Sequence, residues 1–486
     1  MPKSHRRGLF GCRPKICPRV GLKAALLWLS LTAGWTVGAG AAGPDTFPLT
    51  LIYLNDHHAH LDPDLGLKLH LPELGSVTIE SGEMDRVAAL IRSLRTRYPQ
   101  SLVLHAGDAL IGTPYDRLFQ GETDAEAMRH ICLDALALGN HEFDRGDSSL
   151  ARFIQRLNQD PARCHTAVLA ANVAPALATL LYPRPGMRLI QQEAILKAGE
   201  ERIGVIRLIA ADKTQRSSHP LPTTVFQNEL TVAQARIDAL KAQGIDKIVL
   251  LTHQGYRWDL KLAAGLEGAD VIVSGDSHTL LGEDFRRLGL EPAGPYPTIA
   301  SDRSGHKVCI VQAWEYAKAV GELHVSFNQE GQVIACTGQT HLVLGERLLQ
   351  NGQGLSEAVQ QNARALIAAL PGVAFIQPDP EFKQALAPYR TQVAQLEQEH
   401  LGVAAQDLCP VNWSPVKGPA PCATGVQPSH TAAMSNNWSL LPIWRSFPRP
   451  MSPSSMSAGS DPICLPAPSA ARPSIASSPS PIPWWS

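Results

Sequence analysis

Five apolar segments of this 486-residue chain end in polar side chains of the types that bind metal ions. The segments are PLTLIYL (48–54), SLVLHAGD (101–108), ALALGNH (135–141), KIVLLTH (247–253) and DVIVSGDSH (270–278). Each segment has the short apolar run that is typical of a buried strand. The polar residues at or just after their ends are Asp56, His57, His58, Asp108, Asn140, His141, His253, Asp276, Ser277 and His278.

These side chains could form one metal centre if the strands belong to one region of an open α/β sheet. Ligands bind beyond the carboxyl ends of strands in such sheets. Imidazole and carboxylate ligands without thiolate suit Zn, Mn or Fe. If these residues formed two groups of ligands, a carboxylate shared by both groups would bridge two metal ions. Paired metal ions about 3.5–4 Å apart are the usual arrangement for in-line displacement at a phosphoryl group. Gly107, Gly139 and Gly275 precede polar residues and allow tight turns there.

The elements that would hold these residues alternate between strands and amphipathic helices. Helical periodicity marks residues 84–98 and 231–244, and further strands are predicted at 167–173, 202–210, 306–314 and 321–327. Continuous apolar strands between helices indicate a sheet covered on both faces, and therefore an α/β fold. From about 345 to 402 the pattern becomes helical and more polar.

The composition is ordinary for a globular protein, with 44% hydrophobic and 18% charged residues. The net charge is −1, but residues 1–42 hold seven basic and no acidic residues, so the remainder carries −8. An acidic body argues against nonspecific binding of nucleic acid, which needs a basic face.

The first 42 residues have the three-part pattern of a secretory signal peptide. A basic region precedes the apolar stretch 24–37, which is too short for a good spanning helix, and cleavage is predicted near Ala41 or Ala42. An uncleaved N-terminal anchor is the alternative. No other apolar run is long enough to cross a bilayer, so we expect a periplasmic or secreted protein without stable membrane insertion.

The motifs DHH, GD, GNHEFD, THxG and GDSH together resemble the calcineurin-like metallophosphoesterase set. More narrowly, LNDHHAHLDP, VLHAGDALIGT, LALGNHEFD and VIVSGDSH are similar to secreted bacterial 5′-nucleotidases, especially the NAD 5′-nucleotidase branch. The resemblance covers roughly residues 48 to 345 and weakens towards 422. It implies a four-layer αββα sandwich, followed by a helical linker.

The resemblance assigns a role to each matching residue. Asp56, His58 and His278 would bind the first metal, and Asp108 would bridge both metals. The residues that complete the second metal site would be Asn140, His253 and Asp276. Many relatives have His where this chain has Asp276, and an extra carboxylate favours Mn or Mg over Zn.

The resemblance also implies the chemistry. Two divalent metal ions (Zn, Mn or Mg) would make a metal-bound hydroxide available as the nucleophile. His141 would be the catalytic histidine and Asp144 would orient it. His57, His60 and His105 match no ligand position, so a structural role is favoured for them. The substrate would be a nucleotide such as AMP or NAD, bound by a monomer.

The predicted domains are a signal peptide at 1–42, a dimetal phosphoesterase domain at 45–345, a helical linker with the start of a second nucleotidase domain at 346–422, and a disordered tail at 423–486. No NAGG-type loop of the relatives' nucleoside-binding domain is found. Residues 446–486 contain ten Pro and twelve Ser, a composition that cannot build a packed core. We therefore hypothesise that the tail is a frameshifted or truncated reading, which would impair substrate recognition.

Two alternatives to a nucleotidase stay open. One is an inactive, truncated product that is no enzyme. The other is a relative of the thiosulfohydrolases, which share the fold. GDALIGT favours the nucleotidase over the thiosulfohydrolase.

Seven cysteines follow residue 42, so at least one is unpaired. The resemblance implies a Cys409–Cys422 disulfide in a loop that leads into the second domain. Chain order alone suggests pairs Cys132–Cys164 and Cys309–Cys336, which leaves Cys464 single.

Overall fold

The computed structural model of the protein describes residues 46–399. Its strands are β1 (Phe47–Leu54), β2 (Pro63–Leu71), β3 (Gly75–Gly82), β4 (Leu102–His105), β5 (Ala135–Ala137), β6 (Ala167–Leu169), β7 (Val173–Ala174), β8 (Glu193–Ala198), β9 (Glu201–Ile209), β10 (Val225–Phe226), β11 (Lys247–His253), β12 (Val271–Val273), β13 (Thr298–Ser301), β14 (Lys307–Val311), β15 (Ala319–Phe327), β16 (Val333–Gln350), β17 (Gln353–Gly354) and β18 (Val373–Phe375). Its helices are α1 (Met84–Arg97), α2 (Pro114–Phe119), α3 (Glu122–Ile131), α4 (Gly146–Leu157), α5 (Ala211–Ser217), α6 (Glu229–Lys241), α7 (Tyr256–Gly265), α8 (Glu357–Ala368) and α9 (Pro380–Glu397), with 3₁₀ turns at His141–Phe143 and Glu283–Leu288.

Two mixed sheets form the centre of the fold. The larger sheet runs in the order β2-β3-β16-β15-β1-β4-β5-β6, with β17 and β18 also paired to β16. The smaller sheet runs in the order β13-β14-β12-β11-β9-β8. Strands β1, β4, β5 and β6 are parallel neighbours, as are β9, β11, β12 and β14. The parallel arrangement puts the polar ends of several strands at one edge of each sheet.

Alternate residues of β1 face different layers of the core, which explains why its sequence is mostly apolar. Leu49, Leu51 and Tyr53 join the core that lies between the two sheets. Ile52 and Leu54 instead pack with the helices outside the larger sheet. A third core lies between the smaller sheet and helices α6 and α7. The layers are therefore helix, sheet, sheet and helix, so the predicted αββα fold class is confirmed.

The apolar strands were predicted more completely than the polar ones. KIVLLTH coincides with β11, and PLTLIYL lies within β1. The hairpin β2–β3 and the long strand β16 have no counterpart in the prediction, because their exposed positions interrupt the apolar pattern. The boundary predicted at 345 falls inside β16, and the domain limits stay a prediction. The signal peptide, the tail and the Cys409–Cys422 pair lie outside the described residues.

Helix α9 is fastened to the body of the protein by Arg390. The Arg390 guanidinium donates to both carboxylate oxygens of Asp85 at 2.8 Å and to Asp62 Oδ1 at 2.7 Å. It also donates to the carbonyl of Leu61, in the segment between β1 and β2. The helix packs on α1, α2 and α3, so residues 380–397 are part of the same compact layer.

Two disulfides lie within residues 46–399. They join Cys132 to Cys164 and Cys309 to Cys336, the two pairs suggested by chain order. Across the same residues, none of the helices combines the length and apolar character that a bilayer crossing requires.

Asp270, just before β12, provides a test of stability against pH. Its carboxylate accepts a hydrogen bond from the Ile248 N–H at 2.7 Å, and burial raises the pKa of Asp270 to about 8. An unfolded aspartate titrates near about 3.9. Between these values the folded chain keeps a proton that the unfolded chain releases, so the free energy of unfolding falls as the pH rises.

We therefore expect Asp270→Asn to gain stability relative to the unmodified chain between about pH 4 and about pH 8, by at most about 1.4 kcal/mol per pH unit. Denaturant titrations at several pH values measure this difference. Asp238→Asn, a change at an exposed position of α6, serves as the control. Parallel pH profiles for Asp270→Asn and the unmodified chain would contradict the account.

Candidate metal centre

The loops that follow β1 and β4 are joined through their backbones. The Asp56 N–H donates to the carbonyl of Gly107 at 2.9 Å, and the His58 N–H donates to the carbonyl of Asp108 at 3.1 Å. This pairing places the two carboxylates and the His58 imidazole side by side. The ends of β11 and β12 approach from the smaller sheet, because the Asp276 N–H donates to Asp56 Oδ1 at 3.1 Å.

Three imidazoles are oriented by hydrogen bonds from their Nδ1 atoms. His58 Nδ1 lies 3.0 Å from the carbonyl oxygen of Ile111, and His253 Nδ1 lies 2.8 Å from that of Ala106. Because a carbonyl only accepts, both Nδ1 atoms carry the proton. His278 Nδ1 lies 2.9 Å from a carboxylate oxygen of Glu315. In all three rings Nε2 is left to face the centre, as in metal sites where the second nitrogen is held by an acceptor.

The Nε2 atoms converge on two carboxylates. His58 Nε2 lies 3.2 Å from His278 Nε2, and Asp56 Oδ1 lies 3.5 Å from His278 Nε2. On the other side, His253 Nε2 lies 2.9 Å from Asp108 Oδ2 and 3.7 Å from Asp276 Oδ1. His58 Nε2 is also 3.7 Å from Asp108 Oδ2, so Asp108 lies between the two groups.

Asn140 and His141 complete the arrangement from the turn after β5. The His141 N–H donates to Asp108 Oδ1 at 3.0 Å. The side-chain oxygen of Asn140 is buried, and no residue of the range 46–399 gives it a hydrogen bond. His141 Nδ1 lies 2.6 Å from Asp144 Oδ2, while His141 Nε2 lies 4.0 Å from Asp108 Oδ2. All nine predicted site residues are therefore placed at this edge.

The carboxylates give the centre a strongly negative potential. Burial alone would lower the pKa of His253, but Asp108, Asp56 and Asp276 raise it to about 10. Burial likewise opposes protonation of His278, yet Asp56 and Glu315 raise its pKa to about 9. A site that binds protons this strongly also favours divalent cations.

The donor set fits metal ions. Two Nε2 atoms 3.2 Å apart would set two lone pairs against each other unless a proton or a cation lies between them. Atoms that bind one Zn²⁺ at about 2.0–2.2 Å lie roughly 3–4 Å from each other, and the separations above fall close to this range. Asp56, His58 and His278 form one such group, and Asp56, Asp108 and His253 form another. His58, Asp108 and His141 form a third, so His141 could also act as a ligand.

The backbone at the centre is strained. Five predicted ligands have a positive φ, a region that residues other than glycine rarely adopt, at about 1–3 kcal/mol each. They are Asp56, His58, Asp108, Asp276 and His278. Such conformations persist only where the surroundings fix them, and they cluster at functional sites.

Three residues that support the centre were missed by sequence reasoning. The Glu142 carboxylate accepts from the N–H groups of Ala109 at 2.7 Å and Leu110 at 3.1 Å, and also from those of Asp108 and Gly139. Its place within GNHEFD was the available signal. Glu315, which orients His278, and Lys213, which forms an ion pair with Asp276, belong to no motif.

Gly139 gives a sharp test of this geometry. A Cβ atom at this position would lie 2.0 Å from Asp108 Oδ1 and 2.4 Å from the Asp108 backbone nitrogen. Overpacking of this kind costs typically about 1–3 kcal/mol, and here it acts directly on a predicted ligand. We expect Gly139→Ala to weaken metal binding, measured by competition with a chelating dye.

Gly354→Ala is the matched control, because a Cβ atom there meets nothing within 4 Å. Metal affinity equal to that of the unmodified chain in both variants would contradict the placement of Asp108 in the centre.

Comparison with known proteins agrees with this geometry. Residues 49–280 match the family model of the calcineurin-like phosphoesterases. A probable 5′-nucleotidase of Treponema pallidum is 36% identical over 365 residues, covering 74% of this chain and 59% of that protein. The NAD 5′-nucleotidase of Haemophilus influenzae is 32% identical over 371 residues, with the same two coverages of 74% and 59%. The chain thus spans less than two thirds of the length of these two relatives.

A solved structure extends the likeness to the fold. The structure of the Haemophilus influenzae NAD nucleotidase superposes with a TM-score of 0.67 at 31% identity, covering 74% of this chain and 69% of that one. The strand-end motifs, the two-sheet architecture and these matches all indicate the same family. The chain belongs to the calcineurin-like phosphoesterase family, among its 5′-nucleotidase-like hydrolases.

Proposed function

We propose that the protein releases phosphate from nucleotides at a centre of two divalent metal ions. The observation that carries this proposal is the convergence of three Nε2 atoms on the carboxylates of Asp56 and Asp108, with each Nδ1 already bound to an acceptor. The relatives named above are 5′-nucleotidases, and one is named for NAD. This supports a nucleotide such as AMP or NAD as the substrate.

In the proposed arrangement, Asp56, His58 and His278 would hold one ion, and Asn140, His253 and Asp276 would hold the other. Asp108 would be shared by both. Bound divalent ions would supply Lewis acids that polarise the phosphoryl group and offset the charge that develops during its transfer. Zn and Mn suit the imidazoles, and the added carboxylate of Asp276 favours Mn or Mg.

The His141–Asp144 pair has the geometry of an oriented acid. Burial alone would lower the pKa of His141, but the hydrogen bond with Asp144 and the charge of Asp108 raise it above its ordinary value. Because Nδ1 is bound to Asp144, a proton gained by the ring would lie on Nε2, from which it would donate to a phosphoryl or leaving-group oxygen. The His141 side chain is 34% exposed, so it is accessible to a substrate.

Phosphate release by the full chain tests the proposal. AMP, NAD and p-nitrophenyl phosphate are compared with Mn²⁺, Zn²⁺ or Mg²⁺ added, and with a chelator in excess. Metal-dependent release of phosphate from AMP supports a nucleotidase, as does cleavage of the NAD pyrophosphate into two mononucleotides that then release phosphate. Equal phosphate release from AMP and p-nitrophenyl phosphate supports a phosphatase with impaired substrate recognition. No hydrolysis of any of the three compounds, with metal bound, contradicts the proposed activity.

We further propose that the protein is exported and acts as a monomer. The disulfides Cys132–Cys164 and Cys309–Cys336 support an oxidising compartment such as the periplasm. Sequencing the N-terminus of the protein recovered from its native cell tests cleavage near Ala41, and light scattering of the purified chain tests the monomer.

A further inference from the structure

Two buried histidines beside the candidate ligands have no part in the chemistry described so far. His57 lies between the predicted ligands Asp56 and His58, but its side chain points away from the centre. His105 is the last residue of β4, three residues before Asp108. Both side chains are fully buried, as is Asp124 in the first turn of α3.

These residues form a continuous chain of hydrogen bonds. The Gly107 N–H donates to His105 Nδ1 at 3.1 Å. His105 Nε2 lies 2.9 Å from His57 Nδ1, and His57 Nε2 lies 3.1 Å from Asp124 Oδ1. We call Gly107, His105, His57 and Asp124 the histidine strut.

One backbone amide fixes every proton along the strut. The Gly107 N–H can only donate, so His105 Nδ1 must accept and the His105 proton lies on Nε2. That proton is donated to His57 Nδ1, so the His57 proton lies on Nε2 and is donated to Asp124. A second proton on either ring would face another N–H, so both rings are neutral. Burial also lowers the pKa of His105.

The strut connects the two loops that carry candidate ligands. His57, in the middle of the strut, holds the backbone between Asp56 and His58. One end of the strut is Gly107, which precedes Asp108 and whose carbonyl also accepts from the Asp56 N–H at 2.9 Å. The strut therefore adds a side-chain link to the backbone pairing of these loops, and helix α3 anchors its other end through Asp124.

We propose that His57, His105 and Asp124 are positioning residues, which hold the Asp56–His58 loop and the Asp108 loop at the separation that metal binding requires. This inference rests on the metal centre proposed above. It differs from a role in core packing alone, because it requires directional hydrogen bonds rather than filled volume. Loss of partners that orient ligands typically costs about 10–100-fold in metal affinity.

Metal affinity in matched variants distinguishes a positioning role from a role in core packing alone. His57→Phe keeps a ring of similar size without hydrogen bonds, and Asp124→Leu keeps the volume without an acceptor. Asp124→Asn keeps an acceptor for the His57 N–H but removes the charge. His341→Phe is the control, because it removes a buried imidazole that is bonded to a carboxylate, Glu322, at 2.6 Å.

We expect His57→Phe and Asp124→Leu to bind Mn²⁺ or Zn²⁺ about 10–100-fold more weakly in competition with a chelating dye. Asp124→Asn should restore most of the affinity, and His341→Phe should leave it unchanged. Affinity unchanged in His57→Phe, or equally weak binding in Asp124→Asn and Asp124→Leu, would overturn the proposal. Should His57→Phe fail to fold, the two Asp124 variants decide.

The position of the proton on each imidazole ring provides a second test, which needs no metal. Imidazole ¹⁵N spectra of the metal-free full chain should show the proton of His57 and that of His105 on Nε2, with Nδ1 as the acceptor. A proton on Nδ1 of either ring would overturn the proposal. If the unmodified chain binds no metal, the proposed function fails first; if it binds metal and His57→Phe binds equally well, only the strut fails.

Discussion

His141→Ala is expected to slow phosphate release by about 10²–10⁴-fold, the usual contribution of a positioned general acid or base. The reason is geometric: Asp144 holds the ring at 2.6 Å through Nδ1, and Nε2 faces the centre. The variant should still bind two metal ions, because the other candidate ligands stay in place. Steady-state kinetics and metal analysis on the same sample measure both quantities.

His165→Ala, at an exposed position outside the motifs, is the control and should behave as the unmodified protein. Asp144→Asn should give a smaller loss than His141→Ala, since the ring remains but loses its charged partner. Loss of a metal ion from His141→Ala would instead make His141 a ligand, in line with its position beside His58 and Asp108.

Asp108→Asn is expected to have the second large effect, because this carboxylate lies between the two ligand groups. It lies 2.9 Å from His253 Nε2 and 3.7 Å from His58 Nε2. Burial alone would raise the pKa of Asp108, but the positive charge of His253 holds this pKa below its ordinary value, so the carboxylate is ionised. An amide keeps its shape but bridges two cations poorly.

We expect Asp108→Asn to retain at most one metal ion and to lose about 10³-fold or more in rate, which corresponds to several kcal/mol of charge stabilisation. The matched control is Asp134→Asn, directly before β5, where Asp134 accepts from the Val103 N–H of β4 at 2.7 Å. Two ions bound to Asp108→Asn with full activity would exclude the bridging role.

The strand-end residues could be predicted because the signal is local. An apolar run, a glycine and a polar ligand are consecutive in the chain, and parallel strands bring such ends to one edge. His253 shows this well, since the strand KIVLLTH ends on the predicted ligand itself.

The supporting roles of Glu315 and His57 could not be predicted from local pattern. Glu315 contacts His278 from 37 positions away in the chain, and His57 contacts His105 across 48 positions. Their roles depend on how the two loops fold against each other. For the same reason β16 was missed: its exposed positions lack a clear period, and its pairing with β15 and β3 is what makes it a strand.

The central claim is that the residues at this edge bind two metal ions together. Anomalous diffraction from crystals of the full chain grown with Mn²⁺ tests it most directly. The account predicts two peaks about 3.5–4 Å apart, one beside Asp56, His58 and His278 and the other beside His253 and Asp276, with Asp108 between them. A single peak, or peaks away from these side chains, would contradict it.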